Sequence, residues 1–134
     1  MYKRLKALDS SRFIDTVSEW FKGAESDVES LHVYFKEFKM PKKHPGKPIV
    51  LSEFGGYSFK PEGHVYNTKD TYGYKFFKEI EAFREAVSKL YREEIFPAVD
   101  QGLCAAVYTQ LSDVEDETNG IISYDRKVVK IEKI

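Results

Sequence analysis

The chain has 134 residues, of which 42% are hydrophobic and 32% charged, and its formal net charge is -1. This composition is typical of a globular domain, or of part of a larger one, and excludes a disordered tail. The balanced charge argues against a nucleic-acid partner or an anionic membrane surface, and no run of 18 apolar residues predicts a membrane span.

The first half of the chain alternates short apolar runs with breakers. Tyr2–Leu8 is typical of the last turns of a helix, and Phe13–Val17 and Leu31–Phe35 are candidate strands. Lys36–Lys47, with its prolines and clustered lysines, predicts a solvated connector. Pro48–Phe54 is the clearest strand, because it is a continuous apolar run flanked by Pro and Gly-Gly.

The second half begins with a long irregular excursion, Gly55–Tyr72, of a kind that is often functional. Tyr74–Ile95 predicts an amphipathic helix that Pro97 and Gly102 end, and Leu103–Leu111 predicts a buried strand. Strands that alternate with crossover segments indicate an α/β fold with a mostly parallel sheet. Tyr124–Ile134 fits either a short final helix or a strand.

Cys104 is the only cysteine, so no intrachain disulfide is possible. Its place in the apolar run Leu103–Tyr108 predicts a buried small side chain. Met1–Leu8 lacks the apolar core of a signal peptide, which slightly favours a cytoplasmic location.

Polar side chains recur near the ends of the predicted strands. The two-residue period places Ile49, Leu51 and Glu53 on one strand face, so that a carboxylate ends an apolar face. Because burial of an unpaired charge is costly, Glu53 is either a site residue or a structural ion-pair partner. In α/β folds, catalytic groups lie at the carboxyl ends of parallel strands.

The neighbouring predicted strands show a similar pattern. His32 and Tyr34 share a face, opposite to Leu31 and Val33, although a lone histidine there could also be a satisfied core residue. Tyr108 and Gln110 share a face of the last strand, and Ser112–Asp113 lies just beyond it. Three such strand ends predict a common pocket.

Several of these segments resemble motifs of glycoside hydrolase family 2, which contains β-galactosidases, β-glucuronidases and β-mannosidases. Lys47–Gly56 looks like the nucleophile motif of its strand seven, and Asp27–Tyr34 is similar to the Asp-x-x-x-x-His-x-Tyr segment of its strand six. Tyr108–Glu115 resembles the end of strand eight, and Arg12–Asp15 with Trp20 resembles strand five. The matches run in the family's order along nearly the whole chain.

The resemblance implies a fold and a reaction. The expected fold is a partial (β/α)8 TIM barrel that comprises about strands five to eight with their helices, as a single unit over residues 1–134. The expected activity is that of a retaining glycoside hydrolase, with a carbohydrate as substrate, no cofactor and no metal. The family also implies a partner for this half, either the remainder of the same barrel or another copy of the chain.

The resemblance also assigns roles to residues. Glu53 would be the nucleophile that attacks the anomeric carbon, with His32 and Tyr34 lining the sugar subsite and Tyr34 within reach of the nucleophile. Tyr108 stands where the family often has Trp and would border the sugar. Gln110 and Asp113 would lie at the rim of the pocket.

One expected group is missing from the sequence. The family's acid/base is a Glu preceded by Asn, whereas Asn67 and Asn119 are followed by Thr and Gly. Retaining enzymes need two carboxyl groups about 5–5.5 Å apart, so we expect this chain alone to be inactive.

The alternative is a non-catalytic carbohydrate-binding or subunit-like half-barrel that needs a partner chain. A different enzyme is disfavoured. An esterase would need a Gly-x-Ser-x-Gly elbow, which is absent, and the three histidines lack metal-ligand spacing.

Overall fold

The computed structural model describes residues 1–16, 25–43 and 45–133 of the chain. Helix α1 spans Tyr2–Leu8 as predicted. The predicted strand at Phe13–Val17 is absent from residues 13–16, and Val17 and Trp20 lie outside the described residues. The remaining elements in chain order are β1 (Glu29–Val33), β2 (Ile49–Gly55), β3 (Tyr57–Phe59), β4 (Lys75–Phe77), α2 (Ile80–Leu90), a π-helical turn (Tyr91–Ile95), α3 (Phe96–Asp100) and β5 (Leu103–Thr109).

Two small parallel sheets organise the described part of the chain. The main sheet has three strands in the order β1-β2-β5, and both pairings are parallel. A second sheet pairs β3 with β4, also in parallel. The carboxyl ends of all three strands of the main sheet therefore lie at the same end of the sheet, and Tyr34, Glu53 and Thr109 lie there.

The core lies between the main sheet and the helical run 80–100. Phe83, Val87 and Leu90 recur at three- and four-residue steps along α2 and are buried in the core cluster, and the Phe83 ring packs against Phe59 of β3 and Phe77 of β4. Leu51 and Phe54 of β2 belong to the same core cluster. Pro97 does not end the helical run, because it lies in the first turn of α3, where its missing N–H group is tolerated.

The predicted partial (β/α)8 TIM barrel is wrong. The described residues form a small mixed α/β domain with five strands in two sheets and two helical segments, α1 and the run 80–100. A barrel repeats a helix after each strand, but the described residues between β1 and β2 contain no helix. Pro41, Pro45 and Gly46 in this connector disfavour one.

Other predictions need smaller corrections. The helix predicted from Tyr74 begins at Ile80, because Lys75–Phe77 pairs with β3 instead. Residues 124–133 contain no helix, and Cys104 is exposed rather than buried. Within the described residues, no helix is both long and apolar enough to cross a membrane.

Candidate functional site

Glu53 lies near the carboxyl end of the central strand, at an irregularity in the sheet. Ser52 and Glu53 both intervene between the core residues Leu51 and Phe54, and the register shifts on both sides of β2 in this region. The two-residue alternation is therefore interrupted, as at a β-bulge. The sequence pattern predicts Glu53 on the same face as Ile49 and Leu51, and this prediction is wrong. Ile49 and Leu51 are buried, whereas the Glu53 side chain is 45% exposed.

Two side chains lie against the Glu53 carboxylate, that of His32 in β1 and that of Tyr34 directly after β1. The Tyr34 hydroxyl donates a 2.5 Å hydrogen bond to Oε2 of Glu53. Nδ1 of His32 lies 3.2 Å from the same oxygen, and the His32 side chain is 19% exposed. The structure thus brings together the three residues that the sequence grouped most strongly, Glu53, His32 and Tyr34.

Tyr34 is itself held from two sides. Its hydroxyl lies 3.1 Å from Oγ1 of Thr109, the last residue of β5. Its ring stacks on Tyr74, with ring centroids 3.8 Å apart and an interplanar angle of 9°. Burial and the hydrogen bond to Glu53 raise the pKa of the Tyr34 phenol, so it stays a neutral donor at physiological pH.

The two glycines after Phe54 allow this packing. Gly55 and Gly56 have φ of 82° and 63°, a region that side chains disfavour. A Cβ on Gly56 would lie 2.2 Å from the Tyr74 ring, and one on Gly55 would lie 2.3 Å from the Tyr108 ring. The absence of side chains therefore lets the Tyr108 ring pack against Gly55 and the Tyr74 ring pack against Gly56.

Tyr108 packs in the core, and its hydroxyl makes no hydrogen bond to Glu53. Its ring meets Phe54 edge to face at 5.6 Å and lies 6.5 Å from the Tyr91 ring, and only 9% of the residue is exposed. Burial raises the pKa of its phenol. The neighbouring residue, Thr109, is the one from β5 that reaches the site.

Gln110 and Asp113 stabilise the loop after β5. Nε2 of Gln110 donates to Glu117 and Asn119, at 2.9 Å in each case. Oδ1 of Asp113 is 2.7 Å from Nζ of Lys130, and both residues are fully buried. Burial raises the pKa of the Asp113 carboxyl and lowers that of the Lys130 ammonium. Neither Gln110 nor Asp113 contacts Glu53.

Sequence reasoning missed Thr109 and Tyr74. Thr109 lies between two residues that the pattern did select, and the two-residue period could have offered it as the alternative face. Tyr74 follows Glu53 by about twenty residues, and no local signal brings it to Tyr34. Among the described residues, no group of three or more His, Cys, Asp or Glu side chains could hold a metal ion.

The arrangement is suited to nucleophilic attack by a carboxylate. Glu53 is partly open to solvent, and its Oε2 accepts a hydrogen bond from a phenol and lies beside an imidazole, so that the other oxygen can face a substrate. No family model matches the chain, and no curated protein is significantly similar to it.

Proposed function

We propose that this chain carries the nucleophile of a retaining glycoside hydrolase that cleaves β-glycosidic bonds, and that Glu53 is that nucleophile. The observation that carries the proposal is the pair of contacts from Tyr34 and His32 to one oxygen of the Glu53 carboxylate. The resemblance of Lys47–Gly56 to the nucleophile motif of glycoside hydrolase family 2 supports it independently.

In the first step, a carboxylate oxygen of Glu53 forms a bond to the anomeric carbon, and the bond to the leaving oxygen breaks. The Tyr34 phenol, which donates to the charged carboxylate, orients it and limits its rotation. In the second step, water attacks the same carbon, gives its proton to the acid/base, and displaces Glu53 as a carboxylate. Each displacement inverts the anomeric centre, so the product keeps the β configuration.

The leaving oxygen needs a proton, and within the described part of the chain no hydrogen bond or ion pair links Glu53 to a second carboxyl group. We therefore propose that the acid/base comes from another copy of the chain or from further residues of the same protein. General acid help contributes about 10²–10⁴-fold. The chain alone should turn over ordinary β-glycosides very slowly for this reason.

A second candidate function is carbohydrate binding without catalysis. It is favoured by three aromatic side chains near Tyr34, namely Phe35, Tyr72 and Tyr74, because the exposed rings of Phe35 and Tyr72 suit the apolar faces of sugars. The two functions differ in whether Glu53 forms a covalent bond.

The test uses substrates whose leaving group needs no proton. We would incubate the chain with 2,4-dinitrophenyl 2-deoxy-2-fluoro-β-glycosides of galactose, glucuronic acid and mannose. The fluorine slows the second step, so the glycosyl-enzyme should accumulate and be visible by mass spectrometry. Peptide mapping should place one adduct on Glu53, with release of one dinitrophenolate per chain.

The matched control is Glu62→Gln, because Glu62 is exposed and lies in the loop after β3. Glu62→Gln should label as the wild type does, whereas Glu53→Gln should not label. Absence of any adduct, or an adduct that persists in Glu53→Gln, would contradict the proposal. Sugar binding without an adduct would favour the non-catalytic function.

A further inference from the structure

The irregularity in β2 arises because this strand carries one extra residue beside β1. Leu31 of β1 pairs with Leu51, and the next residue of β1, His32, pairs with Glu53. Ser52, between Leu51 and Glu53, therefore has no partner residue in β1. The pairing of β2 with β5 shifts its register in the same region, so the extra residue is a property of β2 itself.

The extra residue changes the face that the following side chains take. Leu51 and Phe54 are both buried, at 0% and 2% exposure, whereas regular alternation would place them on opposite faces of the sheet. In a regular strand, Glu53 would share the core face with Leu51. The bulge instead puts Phe54 in the core and leaves Glu53 partly exposed, where the Tyr34 hydroxyl donates to it.

The Ser52 hydroxyl joins β1 to β2 at this bulge. It donates a 3.2 Å hydrogen bond to the carbonyl oxygen of Leu31, the residue at which the register shifts. Because the single hydrogen of Ser52 is then in use, the Ser30 hydroxyl, 2.5 Å away, donates to Oγ of Ser52. Ser30 is only 7% exposed. One side chain thus makes two hydrogen bonds from the bulge to the neighbouring strand.

We infer that Ser52 is a positioning residue for Glu53, because its hydroxyl stabilises the bulge that directs the carboxylate towards Tyr34. A bulge leaves its extra residue out of the backbone ladder, so hydrogen bonds from a side chain favour it over a regular strand. The link from this geometry to nucleophilic attack rests on the proposed function, whereas the effect of Ser52 on the direction of Glu53 does not.

Three substitutions at this one position isolate the contribution of the hydroxyl. Ser52→Ala removes both hydrogen bonds. Ser52→Val and Ser52→Thr have nearly the same shape as each other, but only the threonine keeps a hydroxyl group, so it should restore what the valine loses. Ser88→Ala is the matched control, because it makes the same chemical change in α2, outside the main sheet. Urea denaturation establishes that each variant is folded.

The first measurement uses the ligand-free chain and requires no activity. Nuclear Overhauser effects between the Tyr34 ring and the Glu53 side chain should be strong in the wild type, Ser52→Thr and Ser88→Ala, and weaker in Ser52→Ala and Ser52→Val. The second measurement is the rate of dinitrophenolate release from the fluoroglycosides. It should fall by about three- to ten-fold in the same two variants, in proportion to the loss of one hydrogen bond.

Unchanged contacts between Tyr34 and Glu53 in Ser52→Ala and Ser52→Val would overturn the inference, even if both variants were less stable. It would also be overturned if Ser52→Thr behaved like Ser52→Val, because the hydroxyl would then not matter. Weaker contacts with an unchanged rate of release would show that the bulge does not position the nucleophile. A wild-type chain that forms no adduct would remove the proposed function, while the first measurement would still decide whether Ser52 directs Glu53.

Discussion

The Tyr34 hydroxyl lies between two partners, 2.5 Å from Oε2 of Glu53 and 3.1 Å from Oγ1 of Thr109. It therefore connects the residue after β1 to the ends of β2 and β5. Because the phenol is neutral, it can donate to only one of these oxygens at a time. The short distance to the carboxylate indicates that Glu53 is the acceptor.

Tyr34→Phe should slow the formation of the Glu53 adduct by about 10- to 100-fold, because a hydrogen bond to a charged group contributes about 1.5–3 kcal/mol. The ring and its stacking on Tyr74 remain, so the chain should stay folded, with a free energy of unfolding lower by at most about 1.5–3 kcal/mol. The measurement is the rate of dinitrophenolate release together with a denaturation curve. Tyr66→Phe, at a tyrosine that is 58% exposed, is the control. An unchanged rate in Tyr34→Phe would show that this contact does not orient the nucleophile.

Gly56→Ala should displace Tyr74 and destabilise the fold. It combines a positive φ of 63° with a Cβ 2.2 Å from the Tyr74 ring. Gly63→Ala separates the two effects, because Gly63 has φ of 75° and no atom within 4 Å of its Cβ position. Urea denaturation should show a loss of about 1–2 kcal/mol for Gly63→Ala and about 2–5 kcal/mol for Gly56→Ala. Equal losses would mean that Tyr74 does not need to pack closely there.

Asp27 should make the stability of the chain depend on acid pH. Its Oδ1 accepts a 2.5 Å hydrogen bond from Tyr2, while Oδ2 accepts one from the Ile14 backbone and pairs with Lys6 at 2.9 Å. The Tyr2 hydrogen bond, followed by the contacts with Lys6 and Ile14, lowers the pKa of Asp27 from 3.8 to about 2. Since the folded pKa is the lower one, the stabilisation is present above pH 3.8 and is lost as the pH falls towards 2.

Asp27→Asn should therefore lower stability at neutral pH and flatten its decline between pH 4 and pH 2, as measured by urea midpoints across this range. Asp100→Asn, at an exposed residue of α3, is the control and should keep the wild-type slope. A decline as steep in Asp27→Asn as in the wild type would assign the acid sensitivity to other groups.

The β5 strand should promote self-association of the purified chain. Four consecutive residues of this strand, 104–107, are exposed although all are apolar, and Val107 is 55% exposed. An uncharged, exposed strand invites pairing with another chain. Val107→Lys should shift the chain towards a monomer in light scattering at micromolar concentration, with reductant present to exclude disulfides through Cys104.

Val129→Lys is the matched control for β5, because Val129 is 50% exposed but lies outside the strand. It adds the same charge and should leave the association unchanged. A wild-type chain that is monomeric at this concentration would contradict the prediction.

The sequence by itself predicted the central strand and grouped Glu53 with His32 and Tyr34 in one pocket. The continuous apolar run before Gly-Gly predicts β2, which the structure places at Ile49–Gly55. The two-residue period predicts that His32 and Tyr34 point to one side, and both contact Glu53. These inferences depend on short-range spacing, along β2 in the first case and between β1 and the residue after it in the second.

Only the tertiary structure decided which face Glu53 takes and which residue of β5 reaches it. The irregularity between Leu51 and Phe54 shifts the alternation, and Thr109 rather than Tyr108 meets Tyr34. It also decided the fold, since the described connector between β1 and β2 forms no helix and the chain is not a partial barrel. A bulge depends on pairing with neighbouring strands, and the stacking of Tyr74 on Tyr34 depends on packing between distant segments. The bulge and the stacking leave no pattern in the local sequence, because the interactions that stabilise them form only when distant segments of the chain pack together.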